Sequence, residues 1–204
     1  MSRVITISRE FGSGGRELGK RLAENLGIAY YDNEIVQEIA KRTDLAEAYV
    51  HQILEEKPTA VFPITIGRSL YSMSSQPVLQ NSQVYAEQHK IITEMAQKSD
   101  CVIVGRCADY ILRDMNPLRL FVYASTESKI ARCRGRESDR EHLTEKALRS
   151  QMNTIDKRRA GYYQFFTGNK WGDMQNYDLC INTSNVQIKL VAAAISEAIR
   201  RKDI

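Results

Sequence analysis

The run Val4-Ile5-Thr6-Ile7 leads through Ser8-Arg9-Glu10-Phe11 into Gly12-Ser13-Gly14-Gly15-Arg16, and Leu18, Leu22, Ala23 and Leu26 follow at helical spacing. A β-branched run, a glycine-rich break and a one-faced apolar stripe, in that order, predict a strand, a loop and a helix. Three glycines within four residues let the backbone come close to an anion and aim successive N–H groups at it from a helix N-terminus. Gly12, Ser13, Gly14 and Gly15 are therefore the candidate cradle for the phosphates of a nucleoside triphosphate, with Arg16 beside them. A strand-to-helix turn with no ligand is the plain alternative.

Working outward, Gly27 ends the first helix and Ile28-Ala29-Tyr30-Tyr31 predicts a second strand with Asp32 at its carboxyl end. Residues 33–98 are helical in pattern almost throughout, with stripes at Ile35, Val36, Ile39 and Ala40, at Val50, Ile53 and Leu54, and over about 85–98. Pro58, Pro63 and Pro77 interrupt this block, and Ser72, Ser74, Ser75 and Gln76 predict a polar loop. Cys101-Val102-Ile103-Val104 is continuously apolar, as a strand covered on both faces should be, and runs straight into Gly105-Arg106. A fourth strand is expected from Leu118 to Tyr123, followed by a basic helix over about 126–136. A long polar helix begins near Thr144 and leads through Arg158 and Arg159 to Tyr162, Tyr163, Phe165 and Phe166. Tyr177 to Ile181 predicts the fifth strand and 188–199 the closing helix.

Strands that alternate with helices predict right-handed crossovers and an α/β fold, a five-stranded parallel sheet covered by helices on both faces. A single domain is expected, with a core of 1–32, 99–143 and 176–204, a helical insertion over about 33–98 and a lid over about 144–175. In such sheets ligands bind beyond the carboxyl ends of the strands. Those ends are Ser8 to Arg16, Asp32, Gly105-Arg106 and the segment after Ile181.

At 204 residues and 43% hydrophobic, the chain can bury an ordinary core. Its net charge of +4 suits a polyanionic ligand but lacks the concentrated basic blocks of a nucleic-acid binder, so no nucleic-acid partner is expected. Cys101, Cys107, Cys133 and Cys180 form no Cys-x-x-Cys pair and are expected as free, mostly buried thiols. The opening residues are too polar for a signal peptide, and no apolar stretch approaches the roughly 18 residues that span a bilayer. A cytoplasmic protein without a membrane partner is expected.

Gly14-x-x-x-x-Gly19-Lys20 matches the phosphate-loop pattern Gly-x-x-x-x-Gly-Lys-Ser/Thr up to its lysine, with Arg21 in the last place. That frame starts seven residues after Ile7 and would put Lys20 on the second turn of the helix. The frame its strand dictates runs from Arg9 to Arg16. There Gly12 and Gly14 keep glycine places, Arg9 stands in the first-glycine position, Gly15 in the lysine position and Arg16 in the Ser/Thr position. Arg16 or Lys20 is the candidate for the missing positive charge. Ser13, Ser8, Asp32 or water are the candidate magnesium ligands; no metal-binding residue is assigned.

Gly105-Arg106 after an apolar strand, Asp156-x-x-Arg159 on a basic helix, and Asp178-Leu-Cys-Ile-Asn-Thr-Ser184 before the last helix complete one ordered pattern. In these residues the chain resembles the cytidylate kinase-like group of nucleoside monophosphate kinases, from Arg3 to the final helix and least in about 34–95. The resemblance implies a P-loop core, an inserted monophosphate-binding region and an arginine-rich lid, with ATP and Mg2+ as cofactors and a small phosphorylated acceptor. It places Gly12, Ser13 and Gly14 on the triphosphate, and matches Asp32 to the acid that ends the second strand. Arg106 corresponds to the arginine on the acceptor phosphate, and Asp156 and Arg159 to the lid pair. Two positions depart from the pattern: Met152 stands where a further lid arginine is usual, and Cys107 where an aspartate contacts the acceptor nucleoside, with Asp109 two residues on.

Phosphoryl transfer needs two phosphate chains in line, water excluded and positive charge on the moving group. Arg106, Arg158, Arg159 and Arg16 are the candidate catalytic cations, with Asp156 orienting one of them. Arg132 or Arg136 is the candidate to stack on the nucleotide base. Asp32, Arg106 and Asp109 are the candidate acceptor-binding residues, and CMP or dCMP the first acceptor. Another small acceptor, or a nucleotide-binding regulator without turnover, are the rival readings. His51, His89 and His142 have no ligand spacing. Tyr162, Tyr163, Phe165, Phe166 and Trp171 are expected to anchor the lid on its hinge.

Overall fold

The β-branched run that begins the glycine stretch forms the central strand of the molecule, β1 (Val4–Arg9). The computed structural model of the protein describes residues 3–55, 76–136 and 143–201. Among these, α1 (Gly15–Leu26) leads to β2 (Ala29–Tyr31), and α2 (Asn33–Thr43), α3 (Glu47–Glu55) and α4 (Gln76–Lys98) precede β3 (Cys101–Val104). A short helix, α5 (Ala108–Ile111), and a 3-10 turn at Arg113–Met115 lead into β4 (Leu118–Tyr123). The chain then forms α6 (Thr126–Arg136), α7 (Glu145–Thr167), β5 (Leu179–Asn182) and α8 (Ile188–Arg201).

The strands pair in the order β2-β3-β1-β4-β5, and every pairing is parallel. Alternate residues of the central strands separate the core into two faces, as a period of two requires. Ile5, Ile7, Val102 and Val104 join Leu18 and Leu22 of α1 and Ala192 of α8 in one cluster. Val4, Cys101 and Ile103 join the stripes of α2, α3 and α4, and Tyr162 and Tyr163 of α7, in the other. All four β3 residues are fully buried, which is why that strand is apolar throughout.

Gly27 closes α1 in the left-handed region at φ 67, its N–H donating to the Ala23 and Glu24 carbonyls. Thr144 caps α7, its side chain accepting the Ala147 N–H at 3.2 Å. Pro77 does not interrupt α4; it stands in the first turn, where a missing N–H costs nothing. Gln76 opens that helix rather than belonging to a loop, while Pro58, Pro63, Ser72, Ser74 and Ser75 lie outside the described residues. The last strand starts two residues later than its apolar run suggests, because the Asp178 carboxylate takes both the Arg119 N–H, at 2.8 Å, and the Arg119 guanidinium, at 2.7 Å. A side chain there competes with the strand ladder. Cys101, Cys107 and Cys133 are buried free thiols and Cys180 is an exposed one.

Helix α7 has two differently anchored ends. Near its start, Leu148 and Met152 pack with Ile130 and Cys133 of α6 in a small separate cluster. Near its end Tyr162, Tyr163 and Phe166 enter the main core, where Phe166 stacks on Tyr85 at 3.9 Å and meets Tyr162 at 4.6 Å, whereas Phe165 faces outward, 46% exposed, and is no core anchor. Two buried phenols fasten that end: Tyr162 donates to Gln88 Oε1 at 3.2 Å, and Tyr163 to Asp109 Oδ2 at 2.6 Å. Removing the second hydroxyl leaves a buried carboxylate short of a donor. Tyr163→Phe is expected to cost about 2 kcal/mol, measured by urea unfolding.

Candidate active site

Phosphate affinity at a turn depends on how rigidly its amides are held. Gly12 and Gly14 take left-handed φ values of 74 and 84, and Gly15 begins α1 directly after them. A Cβ on Gly14 would lie 2.2 Å from Ile188 Cδ1 of α8, so both conformation and space demand glycine there. Ser13 is fully buried, and its hydroxyl donates to the Glu10 carbonyl at 2.8 Å while accepting the Gly15 N–H at 3.4 Å. Thr183, just past β5, donates its hydroxyl to the Ser13 carbonyl at 2.6 Å.

Arg132 on α6 completes this clamp. Its guanidinium donates to the Gly12 and Ser13 carbonyls at 3.4 and 3.3 Å and to the Thr183 carbonyl. Its donors thus point at the backbone of the turn. Arg136 ends α6, and its side chain lies outside the described residues.

Around the turn, cationic side chains outnumber carboxylates. Asp32 is 5% exposed at the end of β2, with Arg16 Nε 2.5 Å from one oxygen and Arg9 Nη2 3.6 Å from the other. Arg9, Arg16, Arg106 and Arg159 are close enough for their charges to act on one another. Burial above all, and then Arg159, pushes the Arg9 guanidinium down to about 9, against the opposing pull of Asp32. It keeps its proton at neutral pH. Lys129 of α6 adds a further cation, 3.0 Å from Glu10 Oε2 and 3.8 Å from Asp156 Oδ2. Lys20 is exposed on α1.

Gly105, Arg106 and Cys107 follow β3 with φ values of 76, 60 and 54, three left-handed residues in succession. For the two that carry a Cβ this conformation is costly, and such strain persists only where neighbours enforce it. Gln88, fully buried and itself held by Tyr162, donates to the Arg106 carbonyl at 2.9 Å, and Ala108 donates back to the Gly105 carbonyl at 3.1 Å. The turn aims Arg106 into a small cavity that Ser8, Arg9, Gly105 and Arg159 also line. Arg106 Nε is buried there without a hydrogen-bond partner among the described residues. A buried donor left unmade carries a desolvation cost, which an anion in that cavity would remove.

Helix α7 closes the far side. Asp156 accepts the Phe11 N–H of the turn at 2.7 Å and lies 3.8 Å from Arg159, whose Nη1 donates to the Arg9 carbonyl at 3.2 Å. Burial raises the Asp156 carboxyl despite the opposing Phe11 amide, Arg159 and Lys129. Arg158 is exposed, one residue round the helix. Met152 is 2% exposed in the apolar cluster with α6, so the place of the expected further arginine is a packing position. Asp109 is 5% exposed on α5 and engaged by Tyr163, and burial raises its carboxyl; Cys107, not Asp109, lines the cavity.

Two members of this cluster were not selected from sequence. Lys129 has no local pattern to mark it, since Glu10 lies 119 residues away. Arg9 had one: it occupies the first-glycine place of a motif whose lysine place is empty.

Among the described residues, two of the candidate magnesium ligands are already engaged within the protein. The Ser13 hydroxyl is committed inside the turn, Asp32 is held by two guanidiniums, and no cluster of three His, Cys, Asp or Glu residues exists among the described residues. No helix among them is long and apolar enough to cross a membrane.

The chain is similar to known proteins along most of its length. The model of the Cytidylate kinase-like family matches residues 4–185. A curated relative, the cytidylate kinase of Thermoplasma acidophilum, is 23% identical over 206 residues, 98% of this chain and 95% of its own. The solved structure of an uncharacterized protein from Eubacterium ventriosum is 29% identical, with a TM-score of 0.70 over 98% of this chain and 99% of that one. Shikimate kinase from Bacteroides thetaiotaomicron, 16% identical with a TM-score of 0.55 over 97% of this chain and 98% of its own, shares the fold, an α/β kinase architecture.

The strained turn yields a test in which stability and binding move in opposite directions. Arg106→Gly relieves a left-handed side-chain residue and is expected to raise unfolding stability by about 1 kcal/mol. It should at the same time weaken binding of pyrophosphate by at least about tenfold, read by urea denaturation and calorimetric titration of the same preparation.

Proposed function

The chain belongs to the cytidylate kinase-like family, and from that premise we propose that it transfers the terminal phosphate of ATP to a nucleoside monophosphate, with CMP and dCMP the first acceptors to test. The observation that carries this reading is the pairing of two anion-ready features at adjacent strand ends. One is the clamped glycine turn after β1; the other is the unpartnered Arg106 donor after β3. Residues Ile7 and Val104 are direct partners in the sheet, so the two features face one space.

In this reading Gly12 to Gly15 hold the donor phosphates by their amides and Arg106 holds the acceptor phosphate. Arg159, lying over the Arg9 carbonyl, and Arg16, beside Asp32, supply positive charge where the phosphoryl group moves. Asp156 sets the position of Arg159 and of the Phe11 amide. Arg158, exposed one residue round the same helix, is a further cation at the rim in this reading. Magnesium would come with the triphosphate rather than from a cluster of side chains, and would supply charge that stabilises the leaving diphosphate.

A second reading keeps the phosphotransfer and changes the acceptor. It is favoured by Asp109, whose carboxylate is taken by Tyr163 and leaves the buried, uncharged Cys107 at the cavity wall. A site without a free carboxylate has less means to select an amino-bearing base.

A coupled assay of ADP release with MgATP across the nucleoside monophosphates distinguishes these. Turnover with CMP or dCMP at least about a hundredfold above the ATPase background is the expected result, and it should fall by about as much in Arg159→Ala. ATP binding without turnover on any monophosphate would leave the second acceptor or a regulatory role.

A further inference from the structure

We propose that Arg9 holds the donor phosphate chain in place of the missing loop lysine, so that the cation of the motif has moved from its seventh position to its first. This rests on the kinase reading above and names the residue that reading lacks. In the usual pattern the first place is glycine and the seventh lysine, whose ammonium reaches the outer phosphates. Here the first place is Arg9 and the seventh is Gly15, an exchange within one loop.

The exchange is visible in the packing. A Cβ on Gly15 would lie 2.5 Å from Arg9 Cβ and 3.0 Å from Arg9 Cγ, so the stem of Arg9 fills the room from which a lysine at 15 would start. At the other end of the same side chain, a Cβ on Gly105 would lie 1.8 Å from Arg9 Nη1. Two glycines on different strand ends are thus open toward one arginine. Its stem runs along the beginning of α1 and its head rests on the turn that presents Arg106.

The charge balance calls for an anion at that head. Arg9 is 13% exposed, and its one ion pair among the described residues, with Asp32, is long at 3.6 Å, because Arg16 holds the other oxygen at 2.5 Å. Arg106 and Arg159 add like charge from the turn and from α7. A buried guanidinium among three others is poorly compensated by one shared carboxylate. A phosphate chain held at the glycine turn would bring the missing charge to the Arg9 side of the recess, whose far wall carries Arg106, and a planar fork suits it. The ligand class is the di- or triphosphate of a nucleotide rather than its base or sugar.

The test is calorimetric titration of the full chain with ADP and with adenosine, in wild type, in Arg9→Met, and in the exchange variant Arg9→Gly with Gly15→Lys. Arg9→Met is expected to weaken ADP by at least about tenfold while adenosine binding stays within twofold of wild type, since only the phosphates meet Arg9. The exchange variant should recover most of the lost ADP affinity by returning the cation to its usual place. Gly15→Lys alone should be thermally less stable than both. Wild-type ADP affinity retained in Arg9→Met, or a loss equal for ADP and adenosine, overturns the assignment and leaves the kinase reading standing. Absence of ADP binding in the wild type overturns that reading itself. If Arg9→Met fails to fold, Arg9→Lys decides: retained ADP affinity in a folded protein supports the assignment, and its loss overturns it.

Discussion

A guanidinium held inside the carboxyl edge of a parallel sheet must be met by negative charge, and here Asp32 meets Arg9 and Arg16 together. Much of the local architecture follows from that arrangement. Gly15 and Gly105 are without side chains where Arg9 passes, the turn after β3 is forced into left-handed conformations beside it, and Arg159 reaches the carbonyl of the same residue. One carboxylate shared between two guanidiniums settles their geometry but does not neutralise the cluster. Excess positive charge in a partly desolvated recess is the condition in which a phosphate binds most strongly.

The fold was legible because its signals are local. Strands β1, β3 and β4 are short apolar runs bounded by glycine or polar residues, and helices α1 and α2 show one buried stripe each. Sequence pattern also located the turn, Asp32 and Gly105-Arg106 at strand ends, where the sheet order brings them into register. What it did not convey is direction. Arg132 is placed by spacing near the turn, yet its donors are consumed by three backbone carbonyls. Asp109 sits two residues from the expected acid, yet a tyrosine 54 residues away claims it. Such assignments depend on long-range partners that composition and period cannot express.

The contrast between Met152 and Tyr163 shows how one helix divides its duties. Met152 packs where α7 touches α6, and the phenols of Tyr162 and Tyr163 are buried where it touches α4 and α5. Between these anchors, Asp156 and Arg159 lie on the stretch that spans the recess. A rod held at both ends fixes its middle without needing many apolar contacts there, which lets polar side chains stand in the recess. Apolar packing on either side is therefore a condition for charge in the centre.

The bond from Thr183 to the Ser13 carbonyl joins residues 170 positions apart. Ile188 of α8 presses on Gly14 from the same distant region. Contacts of such sequence separation form late when a chain is made from its N-terminus, because the intervening segment must be closed first. A growing chain thus carries the complete glycine turn long before the turn is held in shape. The shape of the turn is therefore set only once β5 and α8 have docked on it, so its rigidity reports on the packing of segments far away in sequence.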